Sequence, residues 1–122
     1  MKPLIITPTT ETPSINFNPE TGIFNFSGKS YPENVNDFYN PILDYIELYK
    51  VLPKESTVVE FTWVYYNTAT SKIIIKILML FKSINTKLSI KWFCKISNEL
   101  MIEKGEEIKE VLETKLDIII FK

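Results

Sequence analysis

The run Val58 to Tyr66 constrains the fold of this chain more than any other segment, because β-branched and aromatic side chains fill both of its faces. Val59, Phe61, Trp63 and Tyr65 share one face, and Val58, Glu60, Thr62, Val64 and Tyr66 the other. A strand with so little polar surface belongs inside a sheet, paired along both edges. It is followed by a polar break, Asn67-Thr68-Ala69-Thr70-Ser71, and then by Ile74, Ile77, Leu78 and Phe81 at helical spacing. The pattern predicts strand, short loop, helix, the repeating unit of α/β folds.

The flanking segments extend that scheme. Leu4 to Thr7 is a short strand stopped by Pro8. Ser14 to Asn18 and Ile23 to Phe26 form a hairpin through Asn18-Pro19-Glu20-Thr21-Gly22, with Gly22 and Gly28 at positions where a side chain is unwelcome. Asn34 followed by Asp37 resembles a capping box, and Phe38, Ile42, Tyr45, Ile46 and Tyr49 form an apolar stripe, which predicts a helix over residues 35 to 50. Pro41 should kink that helix or restart it, with Asn40 as the second cap. Leu88, Ile90 and Trp92 alternate in a strand reaching Ile96; Ser97 or Asn98 then caps a helix running to Leu112, which Gly105 weakens or splits. Ile118 to Phe121 is a last strand. The expected product is one compact α/β domain over residues 1 to 122, a mixed sheet of about five to six strands packed with about three helices.

Composition removes several functions. The 122 residues include no His and one Cys, and 14 Lys plus Arg stand against 15 Asp plus Glu for a net charge of -1. Without His, and with Cys94 alone, zinc sites, Cys-His nucleophiles and His-based triads are excluded. A near-neutral chain lacks the positive field that phosphate backbones require, so nucleic acid is not expected as a partner. Met1-Lys2-Pro3-Leu4-Ile5 does not resemble a secretory signal, and Ile73 to Phe81 falls well short of the roughly 20 apolar residues that span a bilayer. The expectation is a cytoplasmic protein without membrane insertion.

Neither a dinucleotide fingerprint nor a phosphate loop is present, and no cofactor is expected. Glu99, Glu103, Glu106, Glu107, Glu110 and Glu113 interleave with Lys104 and Lys109 as a solvated helix face rather than a metal or catalytic set. Trp63, Trp92 and Cys94 read as core. No catalytic residue is nominated, and the chain reads as non-enzymatic.

The chemically informative stretch is Asn67-Thr68-Ala69-Thr70-Ser71-Lys72, with three hydroxyls where a strand meets a helix. Thr68, Thr70 or Ser71 can serve there as N-caps. The same corner also favours negative charge, so a phosphate bound there or carried on a hydroxyl would be stabilised, bringing roughly -1.5 to -2 charges and three acceptor oxygens. A second polar cluster, Ser30-Tyr31-Pro32-Glu33-Asn34, enters the first helix, and Tyr31 or Tyr39 there could offer a rigid amphipathic contact.

Several of these pieces together resemble a known family. Ser30-Tyr31-Pro32-Glu33-Asn34, Phe38-Tyr39-Asn40-Pro41, Tyr65-Tyr66-Asn67-Thr68 with Ser71-Lys72, and the Met101 to Glu106 stretch with Gly105 resemble the SiaC family of regulatory phosphoproteins. The opening Thr7-Pro8-Thr9-Thr10-Glu11-Thr12-Pro13 and the Gly22 hairpin match as well, so the likeness spans nearly the whole chain. The resemblance implies a partner-switching protein whose domain is loosely similar to anti-sigma-factor antagonists. In that family the unmodified protein binds and activates a diguanylate cyclase, raising cyclic-di-GMP and favouring biofilm or aggregation. A dedicated serine/threonine kinase phosphorylates a threonine and blocks binding, and a PP2C-type phosphatase restores it.

The family threonine falls on Thr68, and the resemblance and the loop placement nominate Tyr31, Glu33, Asn34, Tyr39, Asn67 and Lys72 as partner contacts. Lys72, four residues beyond Thr68, is also placed to pair with a phosphate on it. Two departures stand out. Ala69 and Thr70 replace the family's serines, and Ser97-Asn98-Glu99-Leu100 replaces an aspartate-rich run, which bears on kinase or cyclase contacts that use that acidity. The competing expectation is an anti-sigma-antagonist-like adaptor that binds a kinase or other effector and no cyclase.

Overall fold

The computed structural model describes residues Met1–Lys122. Nine elements follow in order: β1 (Leu4–Ile6), β2 (Ser14–Asn18), β3 (Ile23–Ser30), α1 (Val35–Val51), β4 (Ser56–Tyr66), α2 (Thr68–Lys82), β5 (Lys87–Lys95), α3 (Glu99–Leu112) and β6 (Asp117–Phe121). The strands form one six-stranded sheet in sequence order, antiparallel from β1 to β3 and parallel from β3 to β6. The expected α/β domain is therefore present, with β4 paired on both sides.

Because the order β3-β4-β5-β6 never reverses, crossovers of a single hand carry all three helices to one face. The burial pattern agrees. Phe17, Phe24, Phe26, Val59, Phe61, Ile90, Trp92 and Cys94 are buried beneath the helices, joined by Ile42, Ile46, Ile74, Ile77, Phe81, Met101 and Ile108. The opposite face keeps Asn16 exposed and Asn25, Glu60, Thr62 and Lys91 half-buried. The second apolar face of β4, from Val58 to Val64, is thus left without a helical layer. At Val64 the strand carries one extra residue between the Gly28↔Trp63 and Lys29↔Tyr65 pairs, so Tyr65 is exposed and Tyr66 buried, the reverse of the expected alternation.

Three local expectations change. Pro41 lies inside an unbroken α1 and Asn40 caps nothing. Pro41 is exposed, as is Asp37, whose carbonyl loses its partner to the missing N–H, so water can satisfy it. Gly105 likewise does not split α3; a Cβ there would stand 2.6 Å from Trp92 Cδ1, so the glycine lets the helix lie against the indole. The expected loop after β4 shrinks to Asn67, and Thr68 to Ser71 are already helix. Gly22 has φ of 72° in the hairpin turn, and a Cβ would come within 2.5 Å of the Ser56 carbonyl oxygen.

Unequal pairing on the two sides of β4 shapes the corner where α2 begins. β4 pairs with β3 as far as Ser30↔Tyr66, whereas its pairing with β5 stops at Phe61↔Trp92. Beyond that point β4 and β5 part, β5 running on to Lys95 paired only with β6. Asn98 bridges the gap, its Nδ2 donating to the Val64 carbonyl at 2.9 Å.

Candidate functional site

At this end of the sheet α2 begins directly from β4. Asn67 is extended, with φ of -89° and ψ of 177°, and its Oδ1 accepts the Thr70 amide at 2.9 Å. Asn67, rather than Thr68, Thr70 or Ser71, is therefore the N-cap. Its own N–H donates to the Ser30 carbonyl at 3.1 Å, and its carbonyl accepts from Ser71 N–H at 3.0 Å. With the Thr70 amide satisfied, the Thr68 and Ala69 amides are left free in the first turn.

Thr70 fixes this corner from inside. Its Oγ1 donates to the Ser30 carbonyl at 3.1 Å and lies 2.9 Å from Ser30 Oγ, which lies 2.7 Å from the Tyr39 hydroxyl. All three side chains are fully buried, so β3, α1 and α2 are joined by hydroxyls inside the core. Burial pushes the Tyr39 pKa well above the usual phenol range, with the Ser30 hydrogen bond opposing the shift, so the hydroxyl stays neutral. This burial corrects the expectation that Tyr39 is a partner contact. With no exposed surface it cannot touch a partner; it positions the corner through Ser30.

Thr68 is exposed in the first turn of α2, and that turn contains no acidic residue. Beside it a cavity of about 280 Å³ is lined by Tyr65, Tyr66, Asn67, Thr68 and Ser71 on one side and by Leu100 and Lys104 of α3 on the other. Lys104 is the one charged side chain of this lining, and it makes an ion pair with Glu107 at 3.6 Å. Tyr66 is nearly fully buried, and its hydroxyl has no hydrogen-bond partner. Burial, then the charges of Glu107 and Cys94, raise its pKa. Sequence reasoning did not find Leu100 and Lys104, because they enter from another helix.

The remaining nominated residues spread around this corner. Tyr31 is half-buried, and its ring meets Tyr65 edge-on at 6.1 Å between centroids, which joins it to the groove. Glu33 and Asn34 are exposed at the start of α1, where Asn34 Oδ1 caps by accepting the Asp37 amide at 3.2 Å. Lys72 is exposed one turn beyond Thr68 and does not line the groove. The six glutamates of the α3 region are all exposed, and no group of three His, Cys, Asp or Glu is placed to hold a metal. No helix is long and apolar enough to cross a membrane.

Comparison with known proteins places this geometry in context. The sequence model of the SiaC family regulatory phosphoproteins matches residues 6–121. An uncharacterised protein of Pseudomonas aeruginosa is 27% identical over 113 residues, 90% of each chain. The crystal structure of apo-SiaC from Pseudomonas aeruginosa superposes with a TM-score of 0.87 at 25% identity, covering 100% of both chains. A chain from the crystal structure of diguanylate cyclase SiaD in complex with its activator SiaC, from the same organism, gives a TM-score of 0.82 at 25% identity, over 96% of this chain and 97% of that one.

Proposed function

The chain belongs to the SiaC family of regulatory phosphoproteins, and from that premise we propose that it is a non-enzymatic regulator that binds and activates a diguanylate cyclase while Thr68 is unmodified. A cognate serine/threonine kinase phosphorylates Thr68 and releases the cyclase, and a PP2C-type phosphatase restores binding, all within the cytoplasm. The observation that carries this reading is the exposure of Thr68 on the first turn of a helix that is rigidly braced and free of acid.

The physics of the switch comes from that placement. The hydroxyl is accessible to a kinase, and the cap and the Ser30-Thr70 bonds keep the surface in one shape whether or not it is modified. A phosphate introduced here meets the free Thr68 and Ala69 amides and the positive end of α2, so the fold tolerates it. A partner packed over Thr68 would have to desolvate a dianion, which costs binding without unfolding the domain. Tyr31, Glu33, Asn34, Asn67 and Lys72 surround this surface as the proposed contacts, and Tyr39 supports it from below.

The test compares unmodified protein, protein phosphorylated at Thr68 and verified by mass spectrometry, and Thr68→Ala, each mixed with the cyclase while cyclic-di-GMP synthesis is followed. Unmodified protein and Thr68→Ala are expected to activate, and the phosphorylated form to fail. Equal activation by the phosphorylated form, or phosphorylation of Thr68→Ala as fast as wild type, overturns the assignment of the switch. Stable capture of a kinase-like ATPase with no effect on cyclic-di-GMP would select the adaptor instead.

A further inference from the structure

The two edges of the sheet are built differently. The β1 edge is a strand of three residues, Leu4–Ile6, with Pro3 before it and Pro8 soon after, too short and too interrupted to extend a sheet. The β6 edge is Asp117-Ile118-Ile119-Ile120-Phe121 without proline, bulge or central charge. Ile119, Ile120 and Phe121 are 36%, 51% and 39% exposed. On the helix-free face β6 continues into Val64 and half-buried Phe93, and Phe121 and Val64 line a shallow cavity of about 220 Å³ with Thr62, Trp63, Lys95 and Asn98.

The backbone of β6 offers hydrogen bonds outward. Ile96 N–H donates to the Phe121 carbonyl at 2.7 Å, and Phe121 lies opposite Lys95 in the ladder. Asp117, Ile119 and Phe121 therefore turn their backbone groups toward β5, and by alternation Ile118 and Ile120 turn theirs away from the sheet. A row of unpaired amides and carbonyls flanked by aliphatic side chains is a template for one more strand.

We propose that this edge is a self-association surface, on which β6 of a second copy of this chain pairs antiparallel about Ile119 to make one continuous sheet. The sequence is complementary to itself in that direction. Ile119 meets Ile119 at the two-fold axis, Ile118 meets Ile120 in hydrogen-bonded register, and Asp117 comes opposite Phe121 of the second copy, so no like charges face one another. Parallel pairing in register would instead set Asp117 on Asp117 and Lys122 on Lys122, so the charges select the antiparallel arrangement. The surface is separate from the Thr68 groove, whose lining includes no β6 residue.

The test is sedimentation velocity on the full chain over a concentration series from micromolar to millimolar, joined to residue-resolved amide exchange. Wild type is expected to shift from monomer to dimer as concentration rises, with the Ile118 and Ile120 amides becoming protected in parallel and the Ile5 amide unchanged. Ile119→Lys sets two like charges at the two-fold axis and is expected to abolish the shift. Because a misfolded variant would also lose the shift, the wild-type exchange pattern stands as an independent readout. A monomer throughout the series overturns the proposal, as does a dimer whose Ile118 and Ile120 amides stay unprotected. Protection of those amides only when the cyclase is added assigns the edge to a foreign strand and also overturns it.

Discussion

The starts of α1 and α2 share a cap and differ in everything around it. Both use an asparagine whose Oδ1 accepts the amide three residues on, Asn34 from Asp37 and Asn67 from Thr70. At α1 the cap is exposed, and Asp37 already supplies negative charge to the first turn. At α2 the cap is half-buried, the first turn has no acid, and the hydroxyls of Ser30, Tyr39 and Thr70 fix it from beneath. A helix end responds to a new charge when its own dipole is uncompensated, and it presents that charge reproducibly when its backbone is held. Of the two corners only that of α2 combines these properties, which is the physical ground on which Thr68 is proposed as the switch.

The largest stability effect should come from the hydroxyl brace. Ser30→Ala leaves Tyr39 without its partner in a fully buried site and is expected to lower stability by roughly 2 kcal/mol in chemical denaturation. A loss under about 0.5 kcal/mol would show that the corner does not need bracing. The next test is alkaline. Tyr39 and Tyr66 both have raised pKa values, so their stabilisation is intact below the unfolded-state value of about 10 and is lost as pH rises above it, at about 1.4 kcal/mol per pH unit for each. Tyr66→Phe should keep neutral-pH stability, since that hydroxyl bonds to nothing, and should reduce the steepness of the alkaline loss measured by thermal unfolding against pH.

Capping separates the two helices more finely. Asn67→Ala is expected to cost about 1.5 kcal/mol and the exposed Asn34→Ala about 0.7 kcal/mol, read as denaturation midpoints. Equal losses would remove the distinction between the corners. The smallest effect carries an informative sign: Thr68→Glu should raise stability by about 0.5 kcal/mol, whereas Asn36→Glu in α1, beside Asp37, should gain less. A Thr68→Glu protein that is less stable yet still binds the cyclase would argue against both the electrostatics and the switch.

Much of this architecture is legible from local pattern. The alternation from Val58 to Trp63, the stripe from Phe38 to Tyr49 and the Asn-Pro-Glu-Thr-Gly turn each depend on residues a few positions apart, and each element forms where its spacing places it. Local pattern misjudges Pro41 and Gly105 because what decides them is elsewhere: solvent beside an exposed proline, and the Trp92 indole beneath the glycine. It also puts Tyr39 on the surface, although the tyrosine lies on the buried stripe of α1 one position from Phe38.

The candidate site divides the same way. Thr68 and its capping Asn67 can be found in the sequence because a strand end, a polar break and a helix start are consecutive, and the family motif lies there too. The closure of the site depends on pairs far apart in the chain: Ser30 with Thr70, Tyr31 with Tyr65, Thr68 with Lys104 across the groove. The sequence alone determined the elements, most of the core residues and the exclusion of histidine chemistry, since periodicity and composition are properties of the chain itself. Only the tertiary structure decided that all helices share one face, that β4 and β5 part beyond Phe61 and Trp92 and that a lysine of α3 stands beside Thr68. Those outcomes depend on crossover direction and strand register, which are settled by packing between distant segments.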